Sequence, residues 1–162
     1  YILPKGIYLV KVTPDKTLKK TTKYSIKASV VEAGYDDIEP NSPEENAQPM
    51  NISSKGGVKT YKMLLSYLGL PDQTDLMDCF TFDLKSKKKF HLVFKTKETL
   101  SDMNVVICKK EADGVKVIQT YELKGKTIDK KVELQKGTYF IKVWYYGGQS
   151  MQIPYTISGS VN

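Results

Sequence analysis

The chain has 162 residues, enough for one to one and a half domains, and 40% of them are hydrophobic, so a sizeable core can form. Its net charge of +7 is carried by lysine alone, because the sequence contains no arginine. Arginine forks suit phosphates and bases best and the lysines are spread along the chain, so nucleic acid is disfavoured as a partner. No apolar run is long enough to span a membrane.

The lysine excess has two interpretations. A solvated, solubilising surface is the favoured one, and attraction to an acidic polymer is the alternative. The densest cluster, KSKKK at residues 85–89, is interpreted as a turn between two strands.

The first segment of the chain recurs near its other end. LPKGIYLVKV at residues 3–12 returns as LQKGTYFIKV at residues 134–143, and the ungapped register continues to residue 161. The identical positions in the first copy are Leu3, Lys5, Gly6, Tyr8, Lys11, Val12, Tyr24, Ile26, Ser29 and Val30. A repeat at domain-length spacing indicates tandem domains. We therefore predict that residues 1–33, with strands at 7–13 and 23–31, form the C-terminal β-hairpin of a preceding similar module.

Residues 34–50 differ in character from the rest of the chain, being rich in proline and carboxylates and poor in large apolar groups. This composition predicts an acidic linker or an ordered loop. Residues 51–162 then form the main module. Its first part, VKTYKMLLSYLGL at residues 58–70, is compatible with either a short helix or an irregular strand.

Short β-branched and aromatic runs fill the remainder, which predicts an all-β antiparallel sandwich. Phe80, Phe82 and Leu84 alternate on one face of their strand, and a similar alternation in the next strand puts His91 at the surface. The predicted strands cover residues 78–84, 89–96, 104–109, 115–121, 130–134, 138–145 and 152–160.

No set of catalytic residues is apparent. Cys79, Cys108 and His91 do not make a zinc site or a nucleophile with its base, and the sequence has no nucleophile elbow, zincin motif or phosphate loop. We expect no enzyme activity. A single disulfide between the two cysteines is left open.

Two constellations suggest binding instead. The acidic stretches DDIEPNS and DQTDLMD offer the hard oxygen ligands that calcium requires, provided that the fold brings them together; a solvated acidic loop is the alternative. In VWYYGG at residues 143–148, strand alternation turns Lys142, Trp144 and Tyr146 to one face. They form either a binding platform or a cover for a neighbouring loop or module.

The motifs E-P-N, D-x-x-D-x-F and G-T-Y-x-x-x-V over residues 36–161 resemble the bacterial pre-peptidase C-terminal (PPC) domain, and are similar to the collagen-binding domains of clostridial collagenases. The resemblance implies a jelly-roll-like sandwich with calcium at its N-terminal linker. Ser42 stands where an aspartate is usual, and Cys79 replaces an aromatic residue. The implied calcium ligands are Asp37, Glu39, Asn41, Asp75 and Asp78.

The same resemblance implies a ligand-binding surface made by Lys142, Trp144, Tyr146 and Tyr121. The implied function is that of a non-catalytic accessory module of a secreted or surface bacterial protein, a protease, which holds a fibrous protein such as collagen or another extracellular polymer. The alternative is a structural or folding module that stabilises or spaces a catalytic domain without a ligand of its own. Neighbouring domains of the same chain are expected partners in both cases. Self-association through the hairpin of residues 1–33 is a third hypothesis.

Overall fold

The structure, a computed structural model, describes residues 11–13, 23–27, 35–38, 40–53, 57–67, 74–147 and 151–162. The chain divides into two compact units, Tyr1–Gly34 and Tyr35–Asn162. In the first unit, residues 11–13 and 23–27 carry no assigned strand, and most of the hairpin predicted for residues 1–33 lies outside the described residues. In the part of the chain that is described, no helix is both long and apolar enough to cross a membrane.

The second unit is an all-β sandwich, as predicted. Its described residues contain a short 3-10 turn at Glu44–Asn46 and ten strands. The strands are β1 (Gln48–Pro49), β2 (Tyr61–Tyr67), β3 (Thr74–Asp75), β4 (Met77–Leu84), β5 (Lys88–Leu100), β6 (Met103–Glu111), β7 (Gly114–Glu122), β8 (Gly125–Leu134), β9 (Gly137–Tyr145) and β10 (Met151–Val161).

The strands form two five-stranded sheets. The first sheet has the order β1-β4-β9-β6-β7, and the second has the order β3-β2-β10-β5-β8. Neighbouring strands are antiparallel except for the short parallel pair β1 and β4. Lys85, Ser86 and Lys87 connect β4 to β5, as predicted, whereas Lys88 and Lys89 already belong to β5.

The core lies between the two sheets. Phe82 of the first sheet stacks on Phe90 of the second, with ring centroids 4.7 Å apart, and on Tyr139 at 5.6 Å. The predicted alternation is confirmed, because Phe80, Phe82 and Leu84 are all buried. His91 lies on the outer face, where Nε2 is 2.8 Å from Oδ1 of Asp129.

The segment that allowed either a helix or a strand is strand β2. Tyr61, Met63 and Leu65 are 4%, 0% and 1% exposed, whereas Lys62 between them is exposed. The alternation of Tyr61 and Met63 with Lys62 matches a strand with one face on the core, and Leu64 on the other face is buried as well. Antiparallel pairing with β10 supplies its backbone hydrogen bonds.

The repeat implies that residues 134–161, like residues 1–33, form a C-terminal hairpin, and this prediction is wrong for residues 134–161. β9 pairs with β4 and β6 in the first sheet, whereas β10 pairs with β2 and β5 in the second. Both strands carry one apolar face, with Ile141 of β9 and Ile157 of β10 fully buried. They bury these faces from opposite sides of one core instead of pairing with each other, an arrangement that period-two alternation cannot distinguish from a hairpin.

Candidate functional site

Three aspartates meet where the two sheets and the segment before β1 come together. Asp75 belongs to β3 of the second sheet, Asp78 to β4 of the first, and Asp37 to the acidic segment that precedes both. One carboxylate oxygen from each lies within 4.8 Å of those from the other two. Asp78 is fully buried, and Oδ2 of Asp37 and Oδ1 of Asp75 are buried as individual atoms. The acidic segment and the D-x-x-D turn are thus brought together.

Asn41 connects two of these carboxylates. Its side-chain nitrogen donates hydrogen bonds to Oδ1 of Asp37 at 2.9 Å and to Oδ1 of Asp78 at 3.0 Å. Its side-chain oxygen accepts a hydrogen bond from the backbone N–H of Cys79 at 3.4 Å. Asn41 is fully buried, so its amide locks the acidic segment onto the start of β4.

Tyr155 reaches the cluster from the second sheet. Its hydroxyl donates a hydrogen bond to Oδ2 of Asp78, and both residues are buried. Burial, followed by the negative charges of Asp78, Asp37 and Asp75, raises the pKa of the Tyr155 phenol well above its usual value. The phenol therefore stays protonated and acts as a donor.

The donor set of this aspartate cluster suits a hard divalent cation. Three carboxylates at such short range repel one another, and partial burial strengthens that repulsion. All the ligand atoms are oxygens, which calcium and magnesium prefer over sulfur or nitrogen. Asn41, which the resemblance also implies as a ligand, directs its amide nitrogen and not its oxygen at the carboxylates. Glu39, the other implied ligand, lies outside the described residues.

The aromatic pair lies on the outer face of the first sheet. Trp144 and Tyr146 are each 47% exposed, and their ring centroids are 6.0 Å apart at an interplanar angle of 62°. Tyr146 is held by the 101–102 turn, because its hydroxyl donates to the carbonyl of Ser101 at 3.2 Å and its backbone N–H donates to the carbonyl of Asp102 at 2.9 Å. The pair offers a fixed, amphipathic contact surface.

Lys142 lies on the same face but has a different environment. Its ammonium group forms an ion pair with Glu44 of the 3-10 turn, and both side chains are mostly buried. Although burial acts to lower the Lys142 pKa, the hydrogen bond and the charge of Glu44 outweigh it and raise that pKa. Glu44 is not predicted from the sequence, since no local pattern links residues this far apart. Lys142 fastens the turn to the sheet instead of projecting beside Trp144.

The two cysteines lie beneath this ion pair. Cys79 and Cys108 are buried free thiols that pack with Phe140 on the outer face of the first sheet. Burial raises the pKa of Cys79 to about 12, which makes it an inert thiol at neutral pH. The disulfide left open by the sequence is not formed.

Tyr121 is separated from the other aromatic residues. It pairs with Val105 of β6, which in turn pairs with Val143 of β9. Because both valines are fully buried, this row faces the core, and Tyr121 packs against it half-buried. Trp144 belongs to the next row and faces outward, so the structure brings Trp144 and Tyr146 together and puts Tyr121 on the other side of the sheet.

No protein-family model matches the chain, and no curated protein sequence matches it. Among solved structures, the pre-peptidase C-terminal domain of a collagenase from Bacillus anthracis is similar, with a TM-score of 0.53, 19% identity, and coverage of 74% of this chain and 98% of that one. The chain has the fold of a PPC domain. This confirms the resemblance inferred from the motifs at the level of the fold.

Two further solved structures are more distant. The Yersinia pseudotuberculosis-derived mitogen has a TM-score of 0.47 and 14% identity, covering 65% of this chain and 86% of that one. A periplasmic inhibitor of g-type lysozyme from Aeromonas hydrophila has a TM-score of 0.41 and 14% identity, covering 72% and 99%. Similarity this weak has no bearing on the function of the chain.

Proposed function

We propose that residues 35–162 are a non-catalytic accessory module of a secreted or surface bacterial protease, and that the module binds a fibrous protein such as collagen or another extracellular polymer. The observation that carries the proposal is the exposed pair Trp144 and Tyr146, displayed on a fold similar to a domain of a collagenase. Rigid aromatic rings exposed on a sheet give large contact area at low entropic cost.

Calcium is the second part of the proposal. The carboxylates of Asp37, Asp75 and Asp78 would hold the ion, with Glu39 as a further ligand. Asn41 supports the site by its hydrogen bonds to Asp37 and Asp78. A bound calcium would join the acidic segment to both sheets, and an ion bound only by the folded state stabilises that state.

The binding surface is tested by replacing both rings. We expect Trp144→Ala with Tyr146→Ala to weaken binding to reconstituted collagen fibrils by about tenfold or more, since exposed aromatic anchors dominate such contacts. The matched control is Val117→Ala with Ile118→Ala, because these exposed apolar residues lie on edge strand β7. Retained fibril binding by the ring variant, or equal loss in the control, would reject the aromatic pair as the binding surface.

The proposal also has to be separated from the structural alternative. A module that only spaces or stabilises a catalytic domain would show no affinity for collagen fibrils or for insoluble cell-wall polymers, while its deletion would lower the thermal stability of the full-length protein. Cosedimentation of the wild-type chain with each polymer therefore decides between the two functions.

A further inference from the structure

A groove crosses the outer face of the second sheet, on the opposite side of the sandwich from Trp144. It has a volume of about 470 Å³. It is called the lysine groove here, and its lining residues are Tyr35, Lys62, Lys95, Thr96, Lys97, Pro154, Tyr155 and Thr156.

Strand register brings the lysines of this groove together. Thr156 of β10 pairs with Lys62 of β2 on one side and with Lys95 of β5 on the other. Adjacent strands are about 4.8 Å apart, so the Cα atoms of Lys62 and Lys95 lie about 10 Å apart, with Thr156 between them. Lys97 follows on the same face of β5, about 7 Å beyond Lys95.

The three lysine charges of the groove are only partly balanced nearby, where Asp36 lies within electrostatic reach of Lys62 and Asp129 within reach of Lys95. Lys62, Lys95 and Lys97 are exposed, and they form no ion pair within the described part of the chain. The neighbouring carboxylate of Asp36 is already engaged, because Nζ of Lys59 lies 3.3 Å from Oδ1 and the backbone N–H of Lys62 donates to Oδ2 at 2.9 Å. Asp129, further along the same face, is held by His91.

The groove also has an apolar component. Tyr35, Pro154 and the aliphatic stems of the lysines provide apolar surface, while Thr156 adds a hydroxyl. A ligand that fits has rings with an apolar face that also carry anionic substituents and hydroxyl groups, spaced along a chain. Single-stranded nucleic acid fits less well, since it requires successive aromatic stacking platforms and the groove has one exposed ring.

We propose that the lysine groove binds a linear acidic polysaccharide whose sugar units carry carboxylate or sulfate groups. This function is independent of the aromatic pair, which lies on the other sheet. The module would then be able to hold two different extracellular polymers, one on each face.

The test uses the whole chain and two probes, heparin for sulfate groups and polygalacturonate for carboxylates. The triple variant Lys62→Ala, Lys95→Ala and Lys97→Ala should bind at least one probe about tenfold more weakly at 0.15 M salt, given modest gains from each exposed charge contact. Its plot of log affinity against log salt should lose about two to three units of slope, because fewer counterions are released.

Matched variants distinguish binding at the lysine groove from nonspecific attraction to the net positive charge of the chain. The control triple Lys116→Ala, Lys126→Ala and Lys136→Ala changes the net charge equally at exposed positions outside the groove, and should stay within about twofold of wild type. Arginine at the three groove positions should retain binding. Thermal unfolding of each variant verifies that it is folded. We expect every variant to fold, because substitutions at exposed positions usually change stability little.

Several outcomes would overturn the proposal. They are failure of the wild-type chain to bind either probe, an equal loss in the control triple, or tighter binding to single-stranded DNA than to both polysaccharides. The variant Trp144→Ala with Tyr146→Ala should bind both probes like wild type. The collagen-binding proposal and the polysaccharide-binding proposal can therefore be rejected independently of each other.

Discussion

The phenol of Tyr155 donates a hydrogen bond to the carboxylate of Asp78, and this contact joins the second sheet to the first inside the core. Both side chains are buried, so neither can exchange the partner for water. We expect Tyr155→Phe to lower the free energy of unfolding by about 1 to 3 kcal/mol, because it removes a donor from a buried carboxylate.

Urea unfolding measures this effect, and Tyr139→Phe is its control. Tyr139 is also buried, but its hydroxyl donates to the neutral carbonyl of Gln135 at 2.9 Å. Hydrogen bonds to charged groups contribute more than neutral ones, so the Tyr155 variant should lose more stability. An equal or smaller loss than that of Tyr139→Phe would contradict the assigned role of the contact.

The aspartate cluster predicts opposite effects of one substitution with and without calcium. In the presence of a chelator, Asp75→Asn should raise the melting temperature, because it relieves repulsion among three close carboxylates. With calcium at 100 times its dissociation constant, the wild-type chain should gain about 2.7 kcal/mol that the variant does not.

Calorimetry with and without calcium checks this reversal, with Asp113→Asn as control because Asp113 is exposed in the turn before β7. A wild-type melting temperature that does not respond to calcium would reject the metal site. It would leave the cluster with a structural role, in which Asn41 and Tyr155 donate hydrogen bonds to its carboxylates.

The sequence predicted those features that depend on local periodicity. Alternation placed Phe80 and Phe82 in the core and His91 outside because side chains on a strand point to opposite faces in turn. The acidic segment and the D-x-x-D turn were expected to meet only if the fold allowed it, and Asp37 and Asp78 do meet.

Features that depend on distant partners could not be predicted. The assignment of β9 and β10 to different sheets is decided by which strands compete for their edges, and no local pattern encodes that choice. The apolar run of β2 suited a helix as well as a strand. The Glu44 to Lys142 ion pair and the Tyr155 to Asp78 hydrogen bond each join elements that the linear order separates widely.

Gly159 provides a test of how tightly the sheets pack. A Cβ built at this position would lie 2.8 Å from two ring atoms of Phe90 and 2.9 Å from Sδ of Met50. Since Phe90 is fully buried and stacked on Phe82, it cannot move without cost. We expect Gly159→Ala to destabilise the fold by about 1 to 3 kcal/mol through overpacking.

Denaturant unfolding with Ser158→Ala as control checks this prediction, because Ser158 is the adjacent residue of β10 and its side chain faces outward. Gly159→Ala should cost less stability when it is introduced into the Phe90→Leu variant than when it is introduced into the wild-type chain, because the smaller leucine side chain leaves room for the added methyl group. A stability for Gly159→Ala equal to that of wild type would show that the sheets are more loosely packed than the structure indicates.

Cys79 should make the stability of the fold depend on pH in the alkaline range. Its pKa rises from the ordinary 9.0 to about 12 on burial, so the unfolded chain loses the thiol proton before the folded chain does. This contribution to stability is fully present below pH 9 and is lost as the pH rises towards 12.

The slope of unfolding free energy against pH isolates this contribution. Cys79→Ala loses packing at every pH, yet its slope between pH 10 and 11 should be less negative than that of wild type by about one bound proton. Identical slopes would mean that Cys79 ionises as readily in the folded state as in the unfolded one.

Substitution of Lys142 tests whether this residue has a structural role or a ligand-binding role on the face that carries Trp144. Because its ammonium group is engaged by Glu44 above the buried thiols, Lys142→Met should change the unfolding free energy by about 1 kcal/mol or less. Methionine fills a similar volume, and an ion pair whose side chains are still 23% and 28% exposed contributes little. Glu44→Gln should have an effect of similar size, because glutamine keeps an oxygen that accepts a hydrogen bond from the ammonium group.

Fibril cosedimentation of the same variants supplies the functional result. We expect Lys142→Met to bind collagen fibrils like wild type, whereas Trp144→Ala in the same assay binds more weakly, since Trp144 is exposed and Lys142 is not. Loss of fibril binding by Lys142→Met at unchanged stability would assign Lys142 to the ligand surface. The ion pair with Glu44 would then have to open when the ligand binds.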